Sequence, residues 1–186
     1  MRIILCLETE WGLSGSKMDD KASVKPLLDF LRDSIDYVDY DYRTVATKED
    51  LRYYLKYLNL KKHNDVEILY LAFHGQKNII SLSSGDDVDL HELGDMCSKF
   101  QPGKFIHFGS CRTFITSDKR IQEFKERSHA KYVSGYTTTT DFIDGSILDV
   151  AYFSHILRTD RKFATLENQM QTKHGELCKQ LGFKII

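Results

Sequence analysis

The apolar positions of the chain fall into two kinds of stretch that alternate. Short, nearly continuous apolar runs occur at "RIILCL" (2–7), "VEILYLAF" (66–73), "KFIHFGSC" (104–111) and "KYVSGYTT" (131–138). Their length and lack of a polar face predict strands buried on both sides. "DYDYRTVAT" (39–47) alternates and predicts a further strand, and "FKII" (183–186) a final edge strand. Between them the spacing becomes helical. "KPLLDFLRDSI" places apolar residues at 27, 28, 31 and 35, with Pro26 in the first turn. "TKEDLRYYLKYL" repeats at 51, 54, 55 and 58 behind Thr47, an N-cap residue with Asp50 three positions on. "DKRIQEFKERSHA", "DGSILDVAYFSHILRT" and "FATLENQMQTKHGELCKQL" predict three more helices. Residues 78–90 predict a β-hairpin around Ser84, Gly85 and Asp86, with a short helix running to about Phe100.

Strands that alternate with helices predict an α/β domain, a mainly parallel sheet of five to six strands covered on both faces. Ligands in such sheets bind beyond the carboxyl ends of the strands. Those ends carry Glu8-Thr9-Glu10, His74-Gly75, Ser110-Cys111 and Thr137 to Asp141, so polar and reactive residues collect on one rim.

Two of these ends define a candidate chemistry. The run Phe105, Ile106, Phe108 gives way to Gly109 and Ser110 and then to the thiol of Cys111; the run ending at Phe73 is followed by His74 and Gly75. If the two strands are neighbours, their tips lie ~4.8 Å apart. A thiol beside an imidazole is an activated nucleophile, because the base takes the proton and the thiolate attacks. Small residues at 109 and 110 leave room for a substrate backbone. Gly75 lets its amide point into the site, where it and the Cys111 amide can hold an oxyanion.

Composition narrows the field. The 186 residues suffice for one domain spanning 1–186 with a real core, and no low-complexity linker interrupts them. A formal net charge of −1 gives no global field to recruit nucleic acid or an anionic membrane. The first apolar run is too short for a signal peptide or a membrane span. The cysteines at 6, 97, 111 and 178 show no close pairing, which suits free thiols in a reducing, cytoplasmic setting.

"YLAFHG" and "FIHFGSC", one strand closing on His-Gly and the other on a small residue and Cys, resemble the signature of the caspase-like cysteine peptidases. That superfamily includes caspases, metacaspases, separase, gingipain and clostripain relatives, and bacterial CHAT domains. The hairpin and helix of "NIISLSSGDDVDLHEL" are similar to an insertion of CHAT-type members, and "GSCRT" differs from the caspases proper. The resemblance implies a three-layer caspase-like sandwich and a cysteine endopeptidase with His74 and Cys111 as its dyad. It implies no metal or organic cofactor, and a protein or peptide as substrate. In the family, the pocket for the residue before the cut is built from the end of the first strand, the residues just before the Cys, and the segment after the following strand. Here these carry Glu8 and Glu10, Ser110, and Asp141 with Asp144. Carboxylates there would select Arg or Lys; Arg112 offers the competing reading, attraction of an acidic residue. Small bacterial relatives serve as antiviral defence effectors switched on by a partner or signal molecule.

Other signals point elsewhere. "GLSGSK" (12–17) follows the first strand, yet lacks the G-x-x-x-x-G-K-[ST] pattern of a phosphate loop. It leaves two alternatives: a nucleotide- or signal-binding α/β domain using Gly12 to Lys17, or a flap anchored by Trp11. A catalytically silent caspase-like binding module is a third. His91, Cys97 and His107 show no zinc-ligand spacing, so core or surface roles are expected of them.

Overall fold

The computed structural model describes residues 1–11, 23–60, 64–158 and 163–186. Six strands form the main sheet: β1 (Arg2–Glu8), β2 (Val38–Thr44), β3 (Val66–Ala72), β7 (Phe105–Phe108), β8 (Tyr132–Tyr136) and β9 (Phe183–Ile185), in the order β2-β1-β3-β7-β8-β9. All neighbouring pairs are parallel except β8 with β9. The fold is thus the expected three-layer α/β sandwich with a mainly parallel sheet, closed at one edge by the short antiparallel strand.

The two-residue period of the strands sorts their side chains into two cores. Leu5 and Leu7 of β1, Leu69 and Leu71 of β3, and Ile106 and Phe108 of β7 face one helical layer. That layer is α2 (Lys48–Tyr57), α3 (Leu90–Cys97) and α4 (Asp118–Arg127), which contributes Leu51, Leu55, Leu93, Ile121 and Phe124. The intervening Ile4, Cys6, Ile68, Tyr70 and Ala72 face α1 (Lys25–Ser34), α5 (Phe142–Leu157) and α6 (Phe163–Leu181). A slip of one residue would exchange the two sets, so the pleat fixes the register.

Local signals act as expected at α2. Thr47 Oγ1 accepts from Asp50 N at 3.1 Å, and Asp50 Oδ2 accepts from Thr47 N at 3.0 Å, a reciprocal capping box. This box ends β2 at Thr44, earlier than the alternating pattern suggested. β7 likewise stops at Phe108, because Gly109 begins the turn that carries Cys111.

The region after β3 differs from the sequence expectation. His74 does not terminate a strand; it opens β4 (His74–Gln76), which pairs antiparallel with β5 (Ile79–Ser81), itself paired with β6 (Asp87–Asp89). The expected hairpin is therefore part of a separate three-stranded sheet. Three residues are too few for alternation to show, and Gly75 at the centre gives no β signal.

Candidate active site

Register places the two reactive residues. β3 and β7 are parallel neighbours whose last pair is Leu71 opposite Phe108. His74 and Cys111 each follow three positions later, so equal overhangs bring both to the same rim. Both line one pocket of about 520 Å³.

The turn holding Cys111 is fastened to its surroundings through the backbone. Gly109 N donates to Leu71 O, Arg112 N to Thr138 O and Phe114 N to Tyr136 O, each at 3.0 Å. Arg112 adopts φ 58°, a left-handed conformation that costs energy in a non-glycine residue and persists because the turn is pinned on both sides. Gly75 makes this arrangement possible. A Cβ there would lie 2.4 Å from Cys111 O and 2.8 Å from Ser110 Cβ, so β4 can pack against the Cys111 turn only with glycine at 75. Gly109 has a similar role: a Cβ would lie 2.6 Å from the ring of Tyr70. Gly109 and the Tyr70 ring it touches both line the pocket.

Cys111 is half-buried and His74 exposed. The Cys111 thiol donates to Thr140 O at 3.5 Å and Sγ accepts from Thr140 N at 3.2 Å. The His74 ring packs against Trp11, centroids 4.6 Å apart at 77°. Among the described residues, His74 and Cys111 share the pocket without a hydrogen bond between them. Catalytic hydrogen bonds of ligand-free sites are often loose, so this geometry is compatible with a dyad that tightens on substrate.

The structure sorts the candidate specificity residues. Glu10 and Asp141 line the pocket. Asp141 also caps α5, accepting from Ile143 N at 2.9 Å and Asp144 N at 3.2 Å. Asp144 is half-buried, turned to Gln180 Nε2 at 2.9 Å, and is not a pocket wall. Glu8 is not a wall either. It is buried, and its carboxylate accepts from Trp11 Nε1 and Tyr42 OH at 2.5 Å and from Ser23 Oγ and Val24 N at 2.8 Å. Four local donors leave it nothing to offer a substrate. Burial, then the adjacent Glu8, pushes the Tyr42 phenol up from its ordinary value. Ser110 is fully buried with its Oγ on Leu71 O at 3.4 Å, so it serves the turn. Arg112 is exposed and outside the pocket walls, which removes the support for its competing role. The Gly12 to Lys17 stretch lies outside the described residues.

The pocket floor holds a cluster that sequence reasoning missed. Tyr70 OH donates to Asp149 Oδ2 at 2.5 Å, Tyr136 OH donates to Asp149 Oδ1, and His107 Nε2 lies 2.7 Å from the same Oδ1. His107 Nδ1 meets Ser134 Oγ at 2.8 Å. Tyr70, His107 and Ser134 are successive partners across β3, β7 and β8, so one row of the sheet presents them to α5. Burial and the Asp149 charge hold both phenols far above their usual range. Asp149 was legible in principle. It shares the buried stripe Gly145, Asp149, Tyr152, Ile156 of α5, where a lone acid needs partners.

His91 is exposed beside Asp95 and Cys97 is buried, as the absence of ligand spacing suggested. Among the described residues, no group of three metal-ligating side chains converges. No helix among them is long and apolar enough to cross a membrane.

Comparison with solved structures places this architecture. A secreted C11 cysteine protease from Bacteroides thetaiotaomicron, solved with an irreversible peptide inhibitor, superposes with a TM-score of 0.56 at 12% identity. The match covers 82% of this chain and 53% of that one, so the chain spans about half of the neighbour's length. At that identity the likeness establishes the shared caspase-like fold. No curated protein matches the sequence. A family model matches residues 1–186, and the chain accordingly belongs to the family described as "Family of unknown function (DUF6642)".

Proposed function

We propose that the chain is a cysteine endopeptidase that cuts after Arg or Lys. The observation that carries this reading is the pocket: His74 and Cys111 are both among its walls, and its charged walls are the carboxylates Glu10, Asp141 and Asp149, with no Lys or Arg among the described residues. The shared fold with a C11 cysteine protease supports it.

In this mechanism His74 takes the proton from Cys111 Sγ, and the thiolate attacks the scissile carbonyl carbon. The amides of Gly75 and Cys111 receive the oxyanion. The intermediate collapses as His74 delivers its proton to the leaving amine, which departs and leaves a thioester on Cys111. Water, deprotonated by His74, then attacks the thioester carbon and releases the acid and the free thiol. A guanidinium or ammonium entering the pocket meets Glu10 and Asp141 near its exposed wall, while Trp11 and Phe142 cover its aliphatic stem. The cysteines Cys6, Cys97, Cys111 and Cys178 are free, which supports a reducing, cytoplasmic setting.

A second reading is favoured by one observation, the thiol hydrogen-bonded to Thr140 rather than to His74. On this reading the protein is a dormant CHAT-like defence effector, and a partner or signal molecule must draw the two together.

Hydrolysis of a fluorogenic peptide panel tests the first reading. Turnover of Arg and Lys peptides, lost in Cys111→Ala, is expected. Preference for Asp would remove the proposed pocket while keeping the peptidase. Turnover that survives Cys111→Ala would remove the dyad.

A further inference from the structure

The orientation of His74 raises a question that the dyad alone leaves open. A histidine that shuttles a proton is ordinarily held by a hydrogen bond from its second ring nitrogen to a carboxylate or carbonyl. Among the described residues His74 has no such bond; it is exposed, in the first position of a three-residue strand. What its ring does touch is Trp11, edge to face.

Trp11 is itself fixed. Its indole Nε1 donates to Glu8 Oε1 at 2.5 Å. Glu8 is 1% exposed and ends β1, opposite Thr44 of β2 and Ala72 of β3, so its carboxylate is anchored to the middle of the sheet. Tyr42 of β2 and Val24 N at the start of α1 hold the same carboxylate. The order of contacts is therefore sheet, Glu8, Trp11, His74.

We propose that Trp11 is a positioning residue for His74, with Glu8 holding the indole in place. This rests on the dyad reading above. The physical effect is geometric. The fixed ring restricts the imidazole to a narrow range of orientations, which lowers the cost of reaching the thiol and the leaving amine. The other titratable groups of this pocket are Glu10, Cys111 and Asp141 on the walls and Asp149 with its tyrosines at the floor. None of these is in ring contact with His74.

The test uses a convenience of the sequence: Trp11 is the sole tryptophan. Its ring touches the imidazole, so tryptophan emission of the full chain, measured at one neutral pH, should change in His74→Ala. Emission identical to wild type in His74→Ala would overturn the contact.

A second measurement separates this inference from the dyad. The rate of Cys111 alkylation by iodoacetamide is followed against pH by mass spectrometry. Slowing in Trp11→Ala of roughly 10-fold at neutral pH, partly recovered in Trp11→Phe, is expected for a positioning group. Should Trp11→Ala unfold, Trp11→Phe, which keeps the ring and loses the Nε1 donor, carries the comparison. Alkylation that depends on His74 and is indifferent to both Trp11 variants would overturn the inference alone. Alkylation indifferent to His74 as well would overturn the dyad, and the inference with it.

Discussion

His107 and His74 lie on or just beyond neighbouring strands, yet their surroundings are opposite. His107 is fully buried, with Ser134 Oγ on one ring nitrogen and Asp149 Oδ1 on the other. His74 is exposed, with an indole edge-to-face as its ring contact. By residue type, Ser134, His107 and Asp149 make the more familiar catalytic set. Ser134 and His107 are nevertheless 0% exposed, so no substrate can reach the hydroxyl. A saturated, enclosed polar network stabilises one arrangement of the core. Chemistry requires a group with a free valence at a surface, and the rim histidine has it. Residue identity names the candidates, and access decides between them.

The comparison can be broken at either histidine. The largest effect is expected from His74→Ala: a loss of about 10²- to 10⁴-fold in the Cys111 acylation rate, the usual contribution of a general base. Its stability in urea should stay within about 0.5 kcal/mol, since the side chain is exposed. If the rate is unchanged, His74 is not the base.

His107→Ala should do the converse. It leaves Asp149 and Ser134 short of partners and opens a cavity, at a cost of about 3–5 kcal/mol in urea unfolding. A cost under about 1 kcal/mol would mean that the buried network is not what holds α5 to the sheet.

Gly75→Ala sharpens the boundary between the two regions. Its new Cβ meets backbone at Cys111 O, which cannot swing aside as a side chain can. A destabilisation of about 1–3 kcal/mol is expected, together with slower Cys111 alkylation, because relief must come from moving the Cys111 turn.

The smallest effect is absent at neutral pH. The Tyr70 and Tyr136 phenols have folded values raised above the unfolded ~10 by burial and Asp149. Above that pH the unfolded chain releases protons that the fold retains, so stability contributed by these groups is complete below pH ~10 and falls as pH rises beyond it. Tyr70→Phe should make the alkaline decline in urea midpoint shallower; an identical decline would place the titration elsewhere.

Much of this was legible in the sequence because it rests on periodicity. The strand runs, the capping box at Thr47 and Asp50 and the meeting of the ends near His74 and Cys111 follow from spacing and from the parallel-sheet rule. What escaped depends on partners distant in sequence. Glu8 stands at the rim in the chain, yet Tyr42 and Ser23 turn its carboxylate inward. Asp144 lies near Asp141 but faces α6. Asp149 meets Tyr70 and His107 only once α5 lies across the sheet, and β4 pairs with β5 although its three residues carry no strand signal.

The most direct measurement of the central claim is the site of covalent capture. The protein is treated with peptide warheads bearing Arg, Lys, Asp or Leu at the first position, in wild type and His74→Ala, and the adduct is located by mass spectrometry. The account predicts an adduct on Cys111, formed by the Arg and Lys peptides and strongly reduced in His74→Ala. Labelling spread over Cys6, Cys97, Cys111 and Cys178 alike, and unchanged in His74→Ala, would contradict it.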